Sequence, residues 1–73
     1  MSKSVTDLRS IAAAGGGMIL DAGRYSTTDL RSIAAAASSK QAQIKLLNAS
    51  SKSTTDLRSI AAASNGCAIF DFS

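Results

Sequence analysis

The chain is short, mildly basic and poor in the residues that most catalytic and metal sites need. It has 73 residues, a net charge of +3, no histidine and one cysteine, Cys67. A lone cysteine cannot form an intrachain disulfide, and without histidine there is no ligand cluster of the kind that structural zinc uses. A chain of this length buries only ~60% of the surface exposed on unfolding, so its stability is marginal without help. Composition therefore favours self-association and predicts no enzymatic activity and no cofactor.

Targeting and membrane signals are not apparent in the sequence. The first five residues lack a long apolar run, and no stretch approaches the ~18 apolar residues of a membrane span. We therefore expect a cytoplasmic, reducing location, which one free thiol suits, and no membrane partner. The positive charge comes from scattered single Lys and Arg residues. It permits contact with nucleic acid without pointing to it.

The first predicted element is a helix that starts after Ser4. Residues 6–14 read Thr-Asp-Leu-Arg-Ser-Ile-Ala-Ala-Ala, with apolar side chains at helical spacing. Ser4 stands three residues before Asp7, as in a capping box, and an acidic residue in the first turn suits the helix dipole. The glycines at 15–17 end the helix, and residues 18–20 follow as a short buried strand.

The same nine residues return twice without a change, at 28–36 and 55–63. Each copy again has a serine three residues before its aspartate, and each is followed by a short apolar segment, at 44–47 and 68–70. The offsets of 22 and 27 residues fall in the range of repeat arrays. We therefore expect a single repeat domain over residues 1–73, divided into units 1–22, 23–49 and 50–73.

Three helix–strand units predict an α/β fold with a small parallel three-stranded sheet and helices on one face. Strands joined by helices run parallel, and identical units repeat the same crossover. The expected architecture is solenoid-like and similar in layout to leucine-rich repeats, although their Leu-x-Leu-x-x-Asn spacing is absent; a fragment of a β/α barrel is the alternative. The second unit carries a five-residue insertion around residues 38–43. This insertion is expected to form one more helical turn or a longer loop.

Each predicted helix has an acidic flank and a basic flank on either side of its apolar stripe. At about 100° per residue from the repeated Leu, the preceding Asp falls near −100° and the following Arg near +100°. Parallel neighbours would set the Arg of one helix against the Asp of the next and leave complementary charges at the two ends. The alternative is ordinary solvated charge, worth ~0–1 kcal/mol per pair. The residues concerned are Asp7, Arg9, Asp29, Arg31, Asp56 and Arg58.

Alternation along the strands predicts a sheet with two mostly apolar faces. Counting back from the serine caps aligns Asp21 with Asn48, which places Leu20 beside Leu47. One layer of helices covers one face, so the other face should be exposed and available for association. The alternative is that the phenylalanine rings pack beneath the chain's own helices. The face predicted to be open holds Met18, Leu20, Leu47, Phe70 and Phe72.

Three basic residues precede the predicted helix starts: Lys3, Arg24 and Lys52. Together with free N–H groups they could hold a phosphate, although the capping aspartates compete for those groups. The sequence therefore favours a self-associating structural or interaction subunit of a homo-oligomer, either a filament or a ring. The alternative is a small nucleic-acid- or phosphate-binding accessory protein that uses these basic residues.

Polar residues also follow the three predicted strands. Asp21, Asn48 and Asp71 would form a row at the carboxyl ends of the strands, where α/β proteins place their sites. Strand-end Asp and Asn side chains commonly bond turn N–H groups, so we favour a structural role for this row. Cys67 is expected to be a small core residue.

Overall fold

The computed structural model describes residues 4–72, which form three helices and a three-stranded parallel sheet. The sheet order is β1-β2-β3, and short 3-10 turns precede the second and third helices. The predicted α/β class and the three parallel strands are confirmed. The helices are α1 (Val5–Ala13), α2 (Thr27–Ser38) and α3 (Thr54–Ser64); the strands are β1 (Met18–Asp21), β2 (Ile44–Leu47) and β3 (Ala68–Phe70); the 3-10 turns are Ala22–Arg24 and Ala49–Ser51.

Every helix begins at a serine cap, as the repeated motif predicts. In each unit the serine Oγ accepts a hydrogen bond from the N–H of the aspartate three residues later. This bond satisfies one of the N–H groups that the first turn leaves without a partner, and such a cap stabilises a helix by about 1 kcal/mol. The three bonds are Ser4–Asp7 at 3.2 Å, Ser26–Asp29 at 3.1 Å and Ser53–Asp56 at 3.2 Å.

The insertion in the second unit lengthens both the helix and the loop after it. Helix α2 has 12 residues against 9 in α1, so the insertion adds almost one helical turn before the loop begins. Gln41 then adopts a left-handed backbone with φ 57°, which turns the chain back toward the sheet. The next residue, Ala42, is buried, and its N–H donates to the Ala37 carbonyl at 3.0 Å. The loop is therefore held to the end of its own helix.

All three helices pack on the same face of the sheet. Helix α2 lies between α1 and α3 and contacts both. The opposite face stays open, and Ile19 at its edge is 66% exposed. One buried cluster holds Leu8, Leu30, Ile33 and Ile60 from the helices together with Leu20, Ile44 and Leu46 from the strands.

The strand register corrects the predicted division of the sheet faces. Leu20 pairs with Leu46, and Asp21 pairs with Leu47. This register differs by one residue from the alignment counted back from the caps. Because a one-residue slip turns every side chain of a strand to the other face, Ile44 and Leu46 lie under the helices. The predicted grouping of Leu47 with Leu20 is therefore wrong, and Leu47 lies on the open face.

Asn48 is the extra residue that causes this difference. Its backbone is left-handed, with φ 58°, a conformation that Asn tolerates better than most residues. The backbone hydrogen bonds between the second and third strands skip Asn48. The Asp71 N–H donates to the Leu46 carbonyl, and the Asp71 carbonyl accepts from the Ala49 N–H, each at 2.9 Å. Two residues of one strand thus oppose one of its neighbour, as in a bulge.

The sheet face predicted to be open is the face that the helices cover. Leu20 is buried, and Met18 and Phe70 are partly buried against the core. With Ile44 and Leu46 added, this is the more apolar face, so burial beneath the helices is favoured. Phe72 lies past the end of β3 and is 60% exposed, with its ring centroid 6.1 Å from that of Phe70.

Burial of the repeated nonapeptide depends on its neighbours. Ile33 and Ile60 are fully buried at 0% exposure, whereas the equivalent Ile11 is 42% exposed. The repeated leucine shows the opposite trend, because Leu30 is buried while Leu57 in the last helix is only partly buried. The same residues in the same local structure are therefore covered only where an adjacent unit exists.

Equivalent truncations should have unequal effects on stability. We expect Ile33→Ala to lower the free energy of unfolding by about 3 kcal/mol, because it leaves a cavity in a closed core. Ile11→Ala should cost less than ~1 kcal/mol, because much of that side chain already faces solvent. Urea denaturation of both variants at the lowest workable protein concentration measures the difference. Equal losses would show that α1 is as well covered as α2.

Candidate association surfaces

Each helix turns its isoleucine toward the preceding helix and its arginine toward the following one. Arg9 and Ala13 of α1 line a shallow groove together with Ala36 of α2, so Ala36 lies on the α1 side of its helix. Ile33 lies about 60° from Ala36 around the helix and shares that side. The next helix pair repeats the arrangement, with Arg31, Ala35 and Ala63 lining the equivalent groove.

Among residues 4–72, the first and last helices therefore each have one side without a neighbouring helix. We call the free side of α1 and β1 the head surface; it carries Asp7 and Ile11 and the open edge of β1. We call the free side of α3 and β3 the tail surface; it carries Leu57, Arg58 and Ala61 and the open edge of β3. Ala61 is only partly buried, whereas the equivalent alanines, Ala12 and Ala34, are fully buried between helices.

The open sheet face is more polar than the predicted association face. The register aligns Ile19, Lys45 and Ile69 in one row across it, and Asp21 and Leu47 in the next. The side chains of Ile19, Lys45, Leu47 and Ile69 are exposed, and that of Asp21 is half-buried. Two of these five side chains are charged, so burying this face against a partner would carry a desolvation cost.

The predicted ion pairs between neighbouring helices do not form. Within residues 4–72, no helix Arg lies within 4.0 Å of an Asp on the adjacent helix. Arg9, Arg31 and Arg58 are all exposed. In water an exposed pair gains only ~0–1 kcal/mol and loses side-chain freedom, so the arginines stay solvated. Each Arg does lie on the side of its helix that faces the following helix, as predicted, but no row of ion pairs forms between the helices in residues 4–72.

The two basic residues before the helices that the structure describes, Arg24 and Lys52, each contact a group of this chain. Lys3 lies outside the described residues. Arg24 sits 3.8 Å from the Asp21 carboxylate, in an exposed pair. The Lys52 ammonium donates to the Tyr25 carbonyl at 2.7 Å and so links the starts of the second and third units. The two described cations thus have partners within the chain.

The polar residues at the strand ends serve the turns that follow them. Asp21 accepts a hydrogen bond from the Gly23 N–H at 2.9 Å, and the Asn48 carbonyl accepts one from the Ser51 hydroxyl at 2.8 Å. The two turns pack closely, since a Cβ on Gly23 would lie 3.0 Å from the Asn48 Nδ2. The Asp21 bond agrees with the structural role favoured for this row, whereas the Asn48 side chain makes no cap hydrogen bond to its turn.

The prediction that Cys67 is a small core residue is confirmed. The side chain is buried, and the thiol is free. Its Sγ lies 3.8 Å from the Gln41 Oε1, so the loop of the second unit contacts the start of the third strand. Neither feature adds to the head, tail or open sheet surfaces.

Substitution of the two described cations should separate a structural role from an anion-binding one. Lys52→Met removes a part-buried charged hydrogen bond, and we expect it to lower the free energy of unfolding by about 1 kcal/mol. Arg24→Met is the matched control and should change stability by less than ~0.5 kcal/mol, because its pair is exposed. Thermal melts with and without inorganic phosphate test this. Phosphate stabilisation of the parent that both variants abolish would instead identify an anion site.

Comparisons and chemical features supply no further assignment. Among residues 4–72 there is no helix long and apolar enough to cross a membrane, and no group of three or more His, Cys, Asp or Glu side chains that could hold a metal ion. No protein-family model, no curated protein and no solved structure matches the chain.

Proposed function

We propose that the protein is a self-associating structural or interaction subunit of a homo-oligomer, built as a solenoid-like array of three helix–strand units. One observation carries this proposal: Ile11 is 42% exposed, whereas the same residue in the next two copies of the nonapeptide is fully buried by the preceding unit. In a repeat array each unit is stabilised by its neighbours, and a terminal unit without a polar cap lacks part of that stabilisation. A cytoplasmic site of action suits the free thiol of Cys67.

The available surface suggests that association is reversible and depends on concentration. Complete burial of one Ile or Leu side chain contributes about 1.5–3 kcal/mol, and the head and tail surfaces each have few such side chains. Stable interfaces bury roughly 800 Å² per partner. The described chain exposes 4239 Å² in all, so an interface of that size would take a large share of it. We therefore expect weak contacts that become significant when many copies are present.

The alternative function, binding of phosphate or nucleic acid, has one observation in its favour. Arg9, Arg31 and Arg58 occupy equivalent exposed positions, each beside a shallow groove on the outer side of the helices. Such a row would attract a phosphate backbone, but binding would fall steeply with salt. Association through apolar surfaces weakens little with salt, so ionic strength separates the two functions.

The mass of the protein in solution tests the proposed function. Sedimentation over a hundredfold range of protein concentration, at low and high salt, should give an average mass that rises above the 7.4 kDa monomer. The melting temperature should rise with protein concentration, because association stabilises the folded chain. A constant monomer mass together with a concentration-independent melt would contradict the proposal. Salt-sensitive binding to random-sequence DNA by such a monomer would favour the alternative.

A further inference from the structure

We infer that the head surface of one copy docks on the tail surface of a second copy of this chain, and that this contact repeats the packing between successive units. The inference rests on the proposed self-association and specifies the surfaces that carry it. Such a contact is heterologous, because the two partners use different surfaces, and it can propagate into a filament or close into a ring.

The internal interfaces provide the template for this contact. Ile33 is buried on the side of α2 that faces α1, where Leu8 and Ala12 are also buried. The interface between α2 and α3 repeats it, with Ile60 against the side of α2 that holds Leu30 and Ala34. The tail surface presents the same two residue types in the same nonapeptide, at Leu57 and Ala61. The head surface presents Ile11, which is the remaining half of the same interface.

The edge strands of the sheet are also complementary between the head and tail surfaces. Strands β1 and β3 each pair with β2 in parallel, so each has one edge without a partner among the described strands. If β3 of one copy pairs with β1 of the next in the internal register, Ile69 lies beside Ile19, and Phe70 lies beside Leu20. Both neighbouring pairs are apolar, and the partly buried Phe70 gains cover. The sheet then continues without a change of direction.

Charge favours head-to-tail docking over symmetric docking. Asp7 lies on the acidic flank of α1 at the head, and Arg58 lies beside the open groove of α3 at the tail. A head-to-head contact would bring two Asp7 carboxylates together, and a tail-to-tail contact would bring two Arg58 guanidinium groups together. Like charges across an interface are unfavourable, whereas opposite charges orient the encounter.

A mixing experiment with two blocked variants tests this geometry. Ile11→Lys blocks the head surface and leaves the tail intact, while Ala61→Lys blocks the tail and leaves the head intact. At concentrations where the parent associates, each variant alone should sediment as a monomer, with affinity reduced at least tenfold. An equimolar mixture should form a dimer and nothing larger, because only one head and one tail remain usable. Circular dichroism verifies that each variant keeps its helices.

Two further variants keep the test decisive if Ala61→Lys perturbs folding. Arg58→Glu changes an exposed residue and removes the difference in charge between the head and tail surfaces, so it should weaken association by up to about fivefold. Leu47→Lys adds the same charge to the open sheet face and should associate like the parent.

The outcomes separate the docking geometry from self-association itself. A parent that never associates overturns the proposed function. A parent that associates while the Ile11 and Ala61 variants associate equally well overturns only the head-to-tail contact. Loss of association in Leu47→Lys would place the interface on the open sheet face instead. If both blocked variants are folded but their mixture forms no dimer, the head-to-tail contact is also overturned.

Discussion

Packing of one helix–strand unit against the next is the interaction on which this small protein depends. A single unit cannot enclose a core, since it offers one short helix above one short strand. Side by side, the isoleucine of each helix is covered by the unit before it, and its leucine and alanine by the unit after it. The middle unit is therefore closed on both sides, with Leu30, Ile33 and Ala34 all buried. Within residues 4–72, the outer units each keep one side of that interface open.

One residue decides which side chains of the second strand lie beneath the helices. Asn48 takes a left-handed conformation between the second strand and its turn, and the backbone hydrogen bonds to the third strand skip it. The strand before it is thereby shifted by one position, and Ile44 and Leu46 join Leu20 beneath the helices. Lys45 and Leu47 turn outward. The open face becomes mixed in character, with Ile19, Leu47 and Ile69 exposed on it beside the charged Lys45.

Polar residues mostly serve the chain itself. Serine oxygens cap the helices, Asp21 holds its turn, and Lys52 reaches the carbonyl of Tyr25 in the neighbouring unit. These groups already have partners at ordinary hydrogen-bond distances, and their burial is slight. The described surface therefore offers mainly exposed apolar side chains and a difference in charge between the first and last helices.

Local sequence patterns were sufficient to predict where the helices and strands lie, because a serine cap, a glycine that ends a helix and a run of apolar residues each act over only a few residues. All three helix starts and all three strands lie where those patterns predict. The faces of the sheet could not be predicted in the same way, since they depend on hydrogen bonds between strands and on the backbone of Asn48. Nor could the nonapeptide reveal that Ile11 differs from Ile33 and Ile60. Its sequence is identical in all three copies, and burial is a property of the neighbouring unit, which only the folded arrangement supplies.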